Sequence, residues 1–450
     1  MQKKSVSATK NAGYECSSCG AYSSSWAGRC NQCGEWNTLE VLTSAADSFD
    51  PKRVLEISSV KDSASKDEER IRCNLASLDQ IFGGGIVEGS VVLISGEPGM
   101  GKSTLLMQLA SSVSKSYKAL YVSGEESLHQ IALRAKRLAL EQDNLQIASS
   151  ISAEDITNEI ASANYKLVVI DSIQTIRSEK IGTSAGSVAQ VSNCTALLSQ
   201  AAKQSNTALI IVGHVTKEGN IAGPKHLEHI VDVVLTLEGD SRGGLKLLRS
   251  SKNRFGSTSE TEIFEMKNNG LLTPVTNPSA ILLNERKITD GSVVLAAMEG
   301  SRPLLLEVQA LVNRSSYGYP KRAVSGLSLS RLNLLIAMLE RRSSISLGDK
   351  DVYLNVVGGI TTREPAADLA VVMALASAAK GVKLKANAVV FGEVGLSGEV
   401  RHVPFIAKRV LEAKKLGFEL AIGPKAPNDK VSSLLRPVSD INQAIKHFLN

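Results

Sequence analysis

Long apolar runs are missing from this sequence. The longest apolar-rich stretch, Leu369 to Ala379, covers 11 residues, against the ~18 or more that a membrane-spanning helix needs. The opening residues, MQKKSVSATKNAGYECSSCG, hold no apolar segment, so no secretory leader is expected and the reading is cytoplasmic. Cysteine is scarce: six among 450 residues are too few for a disulfide-built scaffold. Tryptophan occurs only at Trp26 and Trp36. Charge of one sign is nearly absent from the total, since 51 basic residues face 45 acidic ones. The resulting +6 argues only weakly, taken alone, for an acidic partner such as nucleic acid. With 43% apolar and 21% charged residues, a disordered, collagen-like or fibrous chain is excluded. The length suggests about three domains and allows cores that need no staples.

What is present is unevenly placed. Four of the six cysteines form Cys16-x2-Cys19 and Cys30-x2-Cys33. Two such pairs on tight turns set four thiolates at the corners of a tetrahedron, as structural Zn²⁺ requires. Gly20 and Gly34 follow the second cysteine of each pair, where a knuckle needs a relaxed backbone. This defines a C4 zinc finger over 10–42, with both tryptophans expected in its small core. Cys73 and Cys194 are read as packing residues. A polar stretch, 43–70, reads as a linker. From 71 to 272, apolar runs alternate with helical patterns: SVVLISG (90–96), KALYVSG (118–124), KLVVIDS (166–172), ALIIVGH (208–214) and DVVLTLE (232–238). Such runs suit strands buried on both faces of a mostly parallel sheet, so the class is α/β. TPVTNPSA (273–280) marks a boundary by its prolines, and a second mixed unit fills 273–450.

GEPGMGKS (96–103) fits G-x4-G-K-[ST] and lies between a strand and the helical pattern STLLMQLASSV, the context a P-loop requires. Gly96, Glu97, Pro98, Gly99, Met100 and Gly101 would wrap ATP phosphates with backbone N–H groups, and Lys102, Ser103 and Thr104 open the helix. Lys102 would reach the β- and γ-phosphates and Ser103 would meet Mg²⁺. KLVVIDS ends in Asp171, and a carboxylate at the tip of a buried strand needs a cation or donors. Asp171 is therefore read as the second Mg²⁺ residue, acting through water. YVSGEES (121–127) ends another strand with two acids. Glu125 or Glu126 would polarise the attacking water; Glu125 is favoured by position.

With SKNRFGS (251–257) added, these motifs resemble the RadA (Sms) family of bacterial recombination and repair ATPases related to RecA. The resemblance covers nearly the whole chain, and KNRFG at 252–256 is that family's signature. It implies a RecA-like P-loop core in a homo-oligomeric ring, a hexamer, in the manner of replicative helicases. It implies a DNA-dependent ATPase that promotes branch migration of strand-exchange intermediates, with RecA recombinase and single-stranded and branched DNA as partners at the nucleoid. Lys252 and Arg254 would act on nucleotide across a subunit interface. A solvated basic turn is the plain alternative for that segment. His214 would sense the γ-phosphate. Lys217 and Lys225, with Gly219 and Gly223, would lie in one DNA-facing loop, and Arg177 and Lys180 in another.

The C-terminal segments 351–379 and 391–418 resemble the Lon protease domain, which works by a Ser–Lys dyad. Its serine lies between a proline and an alanine, a position held here by Ala366 of EPAAD. Its lysine, counted from Gly398-Glu399-Val400, falls on Ala407, one residue before Lys408. Alanine offers neither a nucleophile nor a base, so a Lon-protease-like α+β domain without peptidase activity is expected. Charge gives that unit another use. Residues 271–450 hold 23 basic and 15 acidic residues, net +8, while 71–270 total −1. Arg314, Lys321 and Arg322, interleaved with Tyr317 and Tyr319, suit phosphate contacts plus base stacking, with Arg331, Arg341 and Arg342 adding charge. The competing functions are an ATP-dependent protease of the Lon type and a scaffold whose assembly ATP merely switches.

Overall fold

The computed structural model describes residues 13–41, 70–214, 227–239, 245–284, 286–315, 319–385, 387–426 and 433–449. The linker up to residue 69, Lys217, Gly219, Gly223, Lys225 and Tyr317 lie outside these residues.

The N-terminal module is a three-stranded antiparallel sheet, β1 (Tyr14–Cys16), β2 (Tyr22–Ser23) and β3 (Leu39–Val41), in the order β2-β1-β3. Its interior is made of Cys16, Cys30 and Leu39. The tryptophans are not in it: Trp26 is 58% and Trp36 68% exposed. So small a module lacks the volume to enclose indoles, and ligand sulfurs fill its centre instead. Arg29 lies over the Trp36 ring at 5.9 Å.

The chain groups into two compact units, the first of which includes this module. The first takes residues up to 237 with 250–257 and 269–271; the second takes 238–249, 258–268 and everything from 272 onward. The passage expected at 272 is thus spread over 238–272.

In the first unit, Arg70 is not linker but the start of β4 (Arg70–Ile71), paired with β5 (Ile86–Val87) around α1 (Ala76–Ile81). The five apolar runs all form strands: β6 (Val91–Gly96), β7 (Ala119–Ser123), β9 (Leu167–Asp171), β10 (Ala208–His214) and β11 (Val233–Gly239). With β8 (Leu145–Ser149) they form a parallel array in the order β11-β6-β10-β9-β7-β8. Helices α2 (Lys102–Ser114), α3 (Leu128–Arg137), α4 (Ala153–Ser162) and α5 (Val188–Gln204) supply the crossovers. Every residue of β6, β7 and β9 is buried, as strands covered on both faces must be. The carboxyl ends of such strands are where open α/β sheets bind ligands. Here those ends carry the P-loop, the Glu125 loop, Asp171 and His214.

The second unit contains β13 (Thr261–Met266), antiparallel to β14 (Leu272–Pro274) and to the start of β12 (Leu245–Asn253). Its main sheet joins β15 (Ser292–Glu299), β16 (Arg302–Arg314), β17 (Arg322–Ser325), β18 (Lys350–Val356), β19 (Ala388–Val390), β22 (Leu420–Gly423) and β23 (Leu435–Pro437) in the order β17-β18-β16-β15-β19-β22-β23. A small ribbon pairs β20 (Glu393–Val394) with β21 (Val400–Arg401). Among the described residues five α-helices accompany these strands: α6 (Pro278–Leu283), α7 (Leu329–Arg342), α8 (Asp368–Lys380), α9 (Ile406–Lys415) and α10 (Ile441–Phe448). Helix α8 is the apolar-rich stretch of the sequence, buried from Asp368 through Ser377. A helix apolar on all sides belongs in a core. None among the described residues is long and apolar enough to cross a membrane.

Candidate active site

The P-loop begins where β6 ends. Gly96 has φ 155°, and a Cβ there would meet the Leu237 carbonyl at 2.5 Å. Gly101 caps α2 in the left-handed region, φ 98°. Both positions therefore demand glycine, and the turn they permit presents backbone N–H groups at a helix N-terminus. Met100 is buried beneath the loop, while Glu97, Pro98 and Gly99 are exposed. Lys102 is 4% exposed, and its Nζ donates to the carbonyls of Gly96 (2.7 Å) and Glu97 (2.9 Å). Burial pushes its ammonium down to about 8, against the opposing pull of Asp171, Glu125 and Glu97. Ser103 and Thr104 are half-buried in the first turn of α2.

Asp171, 7% exposed, ends β9. The parallel register sets it opposite Ser123 of β7, so the loop after β7 leaves beside it. Gly124 makes the approach possible, since a Cβ there would fall 2.1 Å from Thr175 Oγ1. The two candidate acids then separate. Glu125 Oε1 accepts a hydrogen bond from Ser172 Oγ at 2.7 Å and lies 3.7 Å from His214 Nε2. Glu126 turns the other way and pairs with Arg134 at 2.8 Å. His214 is pushed below its usual range by burial and by Lys102, so it is neutral at pH 7. Lys102, Glu125, Asp171 and His214 thus share one electrostatic site. Three partners have no sequence signal of their own: Ser172, Tyr121, whose hydroxyl donates to Asp171 Oδ2 at 2.5 Å, and Arg134, whose Nη2 donates to the Tyr121 oxygen at 3.0 Å.

The remaining candidates lie elsewhere. Lys252 Nζ donates to the carbonyls of Glu228 and Val231 (2.8 Å for the latter). Arg254 pairs with Asp232 at 3.0 Å and remains 53% exposed. Among the described residues neither bonds to the P-loop, Glu125 or Asp171 of its own chain. Arg177 and Lys180 are exposed, on a loop that Gln190 pins by donating to the carbonyls of Ser178, Ile181 and Thr183. Arg314 and Lys321 are exposed and Arg322 half-buried. Arg331 is committed inward, to a pair with buried Asp368. Ala366 is buried at 1%, Ala407 is the second residue of α9, and Lys408 reaches the Ser301 carbonyl at 3.2 Å.

In the N-terminal module, Cys16 and Cys33 sulfurs lie 3.6 Å apart and those of Cys19 and Cys30 3.7 Å. All four ligand atoms fall within 4.8 Å of one another. A tetrahedron with Zn–S bonds of ~2.3 Å has edges of about 3.8 Å, so the sulfurs fit zinc without rearrangement. Backbone N–H groups of Cys33 and Gln32 hold the Cys30 thiol below its ordinary range, which favours the thiolate that binds metal.

Comparison with known proteins agrees. A rubredoxin metal-binding domain family model matches residues 14–40, an AAA domain model matches 56–220, and the model for subunit ChlI of Mg-chelatase matches 328–427. The DNA repair protein RadA of Aquifex aeolicus is 46% identical over 96% of this chain and 98% of its own length. That of Pseudomonas aeruginosa is 46% identical over 96% and 97%; that of Escherichia coli is 43% identical over 92% of each. The crystal structure of the RadB recombinase, 21% identical, overlaps 44% of this chain and 97% of its own with a TM-score of 0.36, so the assignment rests on the curated relatives. At such identity over nearly its whole length, the chain is an ATP-hydrolysing enzyme and belongs to the RadA family of DNA repair proteins.

Proposed function

We propose that this protein is a DNA-dependent ATPase that works as a homo-oligomeric ring, a hexamer, on single-stranded and branched DNA. In this reading it drives branch migration of RecA-mediated strand exchange, in contact with RecA recombinase, in the cytoplasm at the nucleoid. The observation that supports hydrolysis is the meeting of Lys102, Glu125, Asp171 and His214 at one sheet edge. Bound with ATP, Mg²⁺ would supply positive charge to the phosphates, and Ser103 and Asp171 would hold it. Glu125, steadied by Ser172, orients the attacking water and accepts its proton. Lys102 neutralises charge on the β- and γ-oxygens. Among the described residues, Lys252 and Arg254 have no partner in their own nucleotide site, which supports their acting on the ATP of an adjacent subunit. Such an arrangement couples hydrolysis to ring geometry.

DNA contacts are assigned to Arg177, Lys180, Lys217 and Lys225 in the core, and to Arg314, Lys321 and Arg322 in the C-terminal unit. That unit carries out no proteolysis, because Ala366 and Ala407 occupy the dyad positions. The test is the ATPase rate of the full chain with single-stranded, duplex and branched DNA, for wild type and for an Arg314→Ala, Lys321→Ala, Arg322→Ala variant. Stimulation by DNA that the triple variant weakens is expected. A rate indifferent to DNA across a range of salt refutes the motor and leaves the nucleotide-switched scaffold.

A further inference from the structure

Asp171 does not stand alone behind the P-loop. Strands β7 and β9 run parallel with Ser123 opposite Asp171 and Tyr121 opposite Val169. Tyr121 and Ser123 share a face, two residues apart, so the phenol extends along β7 toward the Asp171 carboxylate. The ring is wholly buried. Its hydroxyl has a single hydrogen, and its oxygen already accepts from Arg134 Nη2 at 3.0 Å. That hydrogen is therefore directed at Asp171 Oδ2. Arg134 also lies over the Tyr121 ring at 5.6 Å and pairs through Nη1 with Glu126 at 2.8 Å. Ser127 caps α3 by accepting from the Gln130 N–H, and its own N–H donates back to Gln130 Oε1 at 2.9 Å, which fixes the helix bearing Arg134 immediately after the two acids.

The connected set runs Glu126, Arg134, Tyr121, Asp171. One carboxylate oxygen of Asp171 is held by the Tyr121 hydroxyl, which biases the orientation of the group and leaves Oδ1 for the metal side. We propose that Tyr121 and Arg134 are positioning residues that fix the Asp171 carboxylate for the nucleotide's divalent cation, and that Glu126 anchors them to the loop carrying Glu125. The proposal rests on the reading of Asp171 as the metal-side carboxylate. It gives the acid pair a division of labour: Glu125 faces the reaction, and Glu126 holds the frame. Loss of a group that orients a metal-side carboxylate typically costs about 10–100-fold in metal affinity.

The test measures metal binding without turnover. Mn²⁺ is titrated into the full chain loaded with a non-hydrolysable ATP analogue, and free Mn²⁺ is followed by electron paramagnetic resonance. Analogue affinity in EDTA is measured in parallel. Tyr121→Phe keeps the ring and removes only the hydroxyl; it is expected to weaken Mn²⁺ binding about tenfold and to leave analogue affinity in EDTA unchanged. A purely structural role would lower the melting temperature without moving Mn²⁺ affinity. Asp171→Asn separates the two claims. Weak Mn²⁺ binding in Asp171→Asn with wild-type binding in Tyr121→Phe overturns the positioning role alone. Wild-type binding in both overturns the Asp171 assignment and the proposal with it. Should Tyr121→Phe fail to fold, Arg134→Met at the outer end of the chain of contacts carries the same measurement. Mn²⁺ affinity equal to wild type there overturns the proposal, and partial recovery in Arg134→Lys supports it.

Discussion

If Lys102 meets the ATP phosphates as proposed, it sets how ATP affinity responds to pH. Its ammonium is buried, which brings it down from 10.5 to about 8 in the ligand-free protein. Phosphate oxygens favour the charged form, so bound nucleotide raises that value again. Between the two values, binding takes up a proton and affinity falls as pH rises. At pH 7.5 about three in four molecules carry the ammonium; at pH 9 about one in eleven does. ATP affinity is therefore expected to drop about eightfold over that interval, or about 1.2 kcal/mol. The ligand does not contribute, because its terminal phosphate titrates near pH ~6. His214 does not either, since its titration is displaced downward, away from this window. The assay is fluorescence binding of an ATP analogue in EDTA, with calorimetry in two buffers of different ionisation enthalpy to count protons. Lys102→Arg provides the flat control, as guanidinium stays charged throughout. The same depression has a sign in folding. The unfolded chain holds this proton up to 10.5 and the folded chain only to about 8, so the ligand-free protein gains stability from this group as pH climbs between those values. An affinity constant within about twofold from pH 7.5 to 9, with no proton uptake, would refute the buried-ammonium argument.

Glu125→Gln should lower single-turnover hydrolysis by about 10²–10³ with ATP affinity intact, whereas Glu126→Gln, which keeps an oxygen facing Arg134 and loses the charge of that pair, should lose less than about tenfold; the reverse order would reassign the base. Removing zinc with a strong chelator should alter the fluorescence of Trp26 and Trp36, the only tryptophans of the chain, while the melting of the ATPase unit stays put after Mg²⁺ is restored; unaltered fluorescence would deny the metal a structural role. Asp368→Ala strands Arg331 beside a buried helix start and should destabilise the C-terminal unit by about 3 kcal/mol, with Asp368→Leu/Arg331→Met recovering most of it in thermal unfolding. Lys252→Ala and Arg254→Ala should each slow turnover while retaining nucleotide, and mixing either with a Lys102→Ala chain should restore activity if the residues serve a neighbouring subunit; no recovery in mixed assemblies would return them to their own chain.

What could be read without coordinates follows from what each signal depends on. The P-loop and the cysteine knuckles were legible because their chemistry is set by spacing along the chain. Strands β6, β7, β9 and β10 were legible because burial on both faces leaves near-continuous apolar runs. The Tyr121–Asp171 contact was not, since it depends on the register of β7 against β9, and an interior tyrosine reads as ordinary packing. The surroundings of Glu125 and Glu126 diverge through Ser172 and Arg134, residues 47 and 8 positions away respectively. Arg331 looked like surface charge until α7 and α8 brought it to Asp368. The tryptophans misled because aromatic side chains usually signal a core, and this module is filled by sulfur.

The charge of the C-terminal unit takes on a different meaning once its pairs are known. An ion pair removes one charge of each sign, so Arg331–Asp368 and Arg409–Glu364 leave the net +8 untouched but confine it to other cations. Register shows where some of these gather. Arg314 of β16 lies opposite Lys350 of β18, and two residues along β18 Val352 lies opposite Arg322 of β17. Lys321 adjoins, and Tyr319, 85% exposed, stands beside them. Asp349 and Asp351 flank Lys350, and Asp351 already accepts from the Lys321 backbone N–H at 2.8 Å. Four cations against two carboxylates leave a modest local surplus. One such patch would hold few phosphates, and the affinity of each phosphate contact falls with salt. If the patch binds DNA as proposed, useful affinity has to come from repetition, with several copies engaging one strand at high effective concentration. The weak charge of a single chain is thus an argument for the ring.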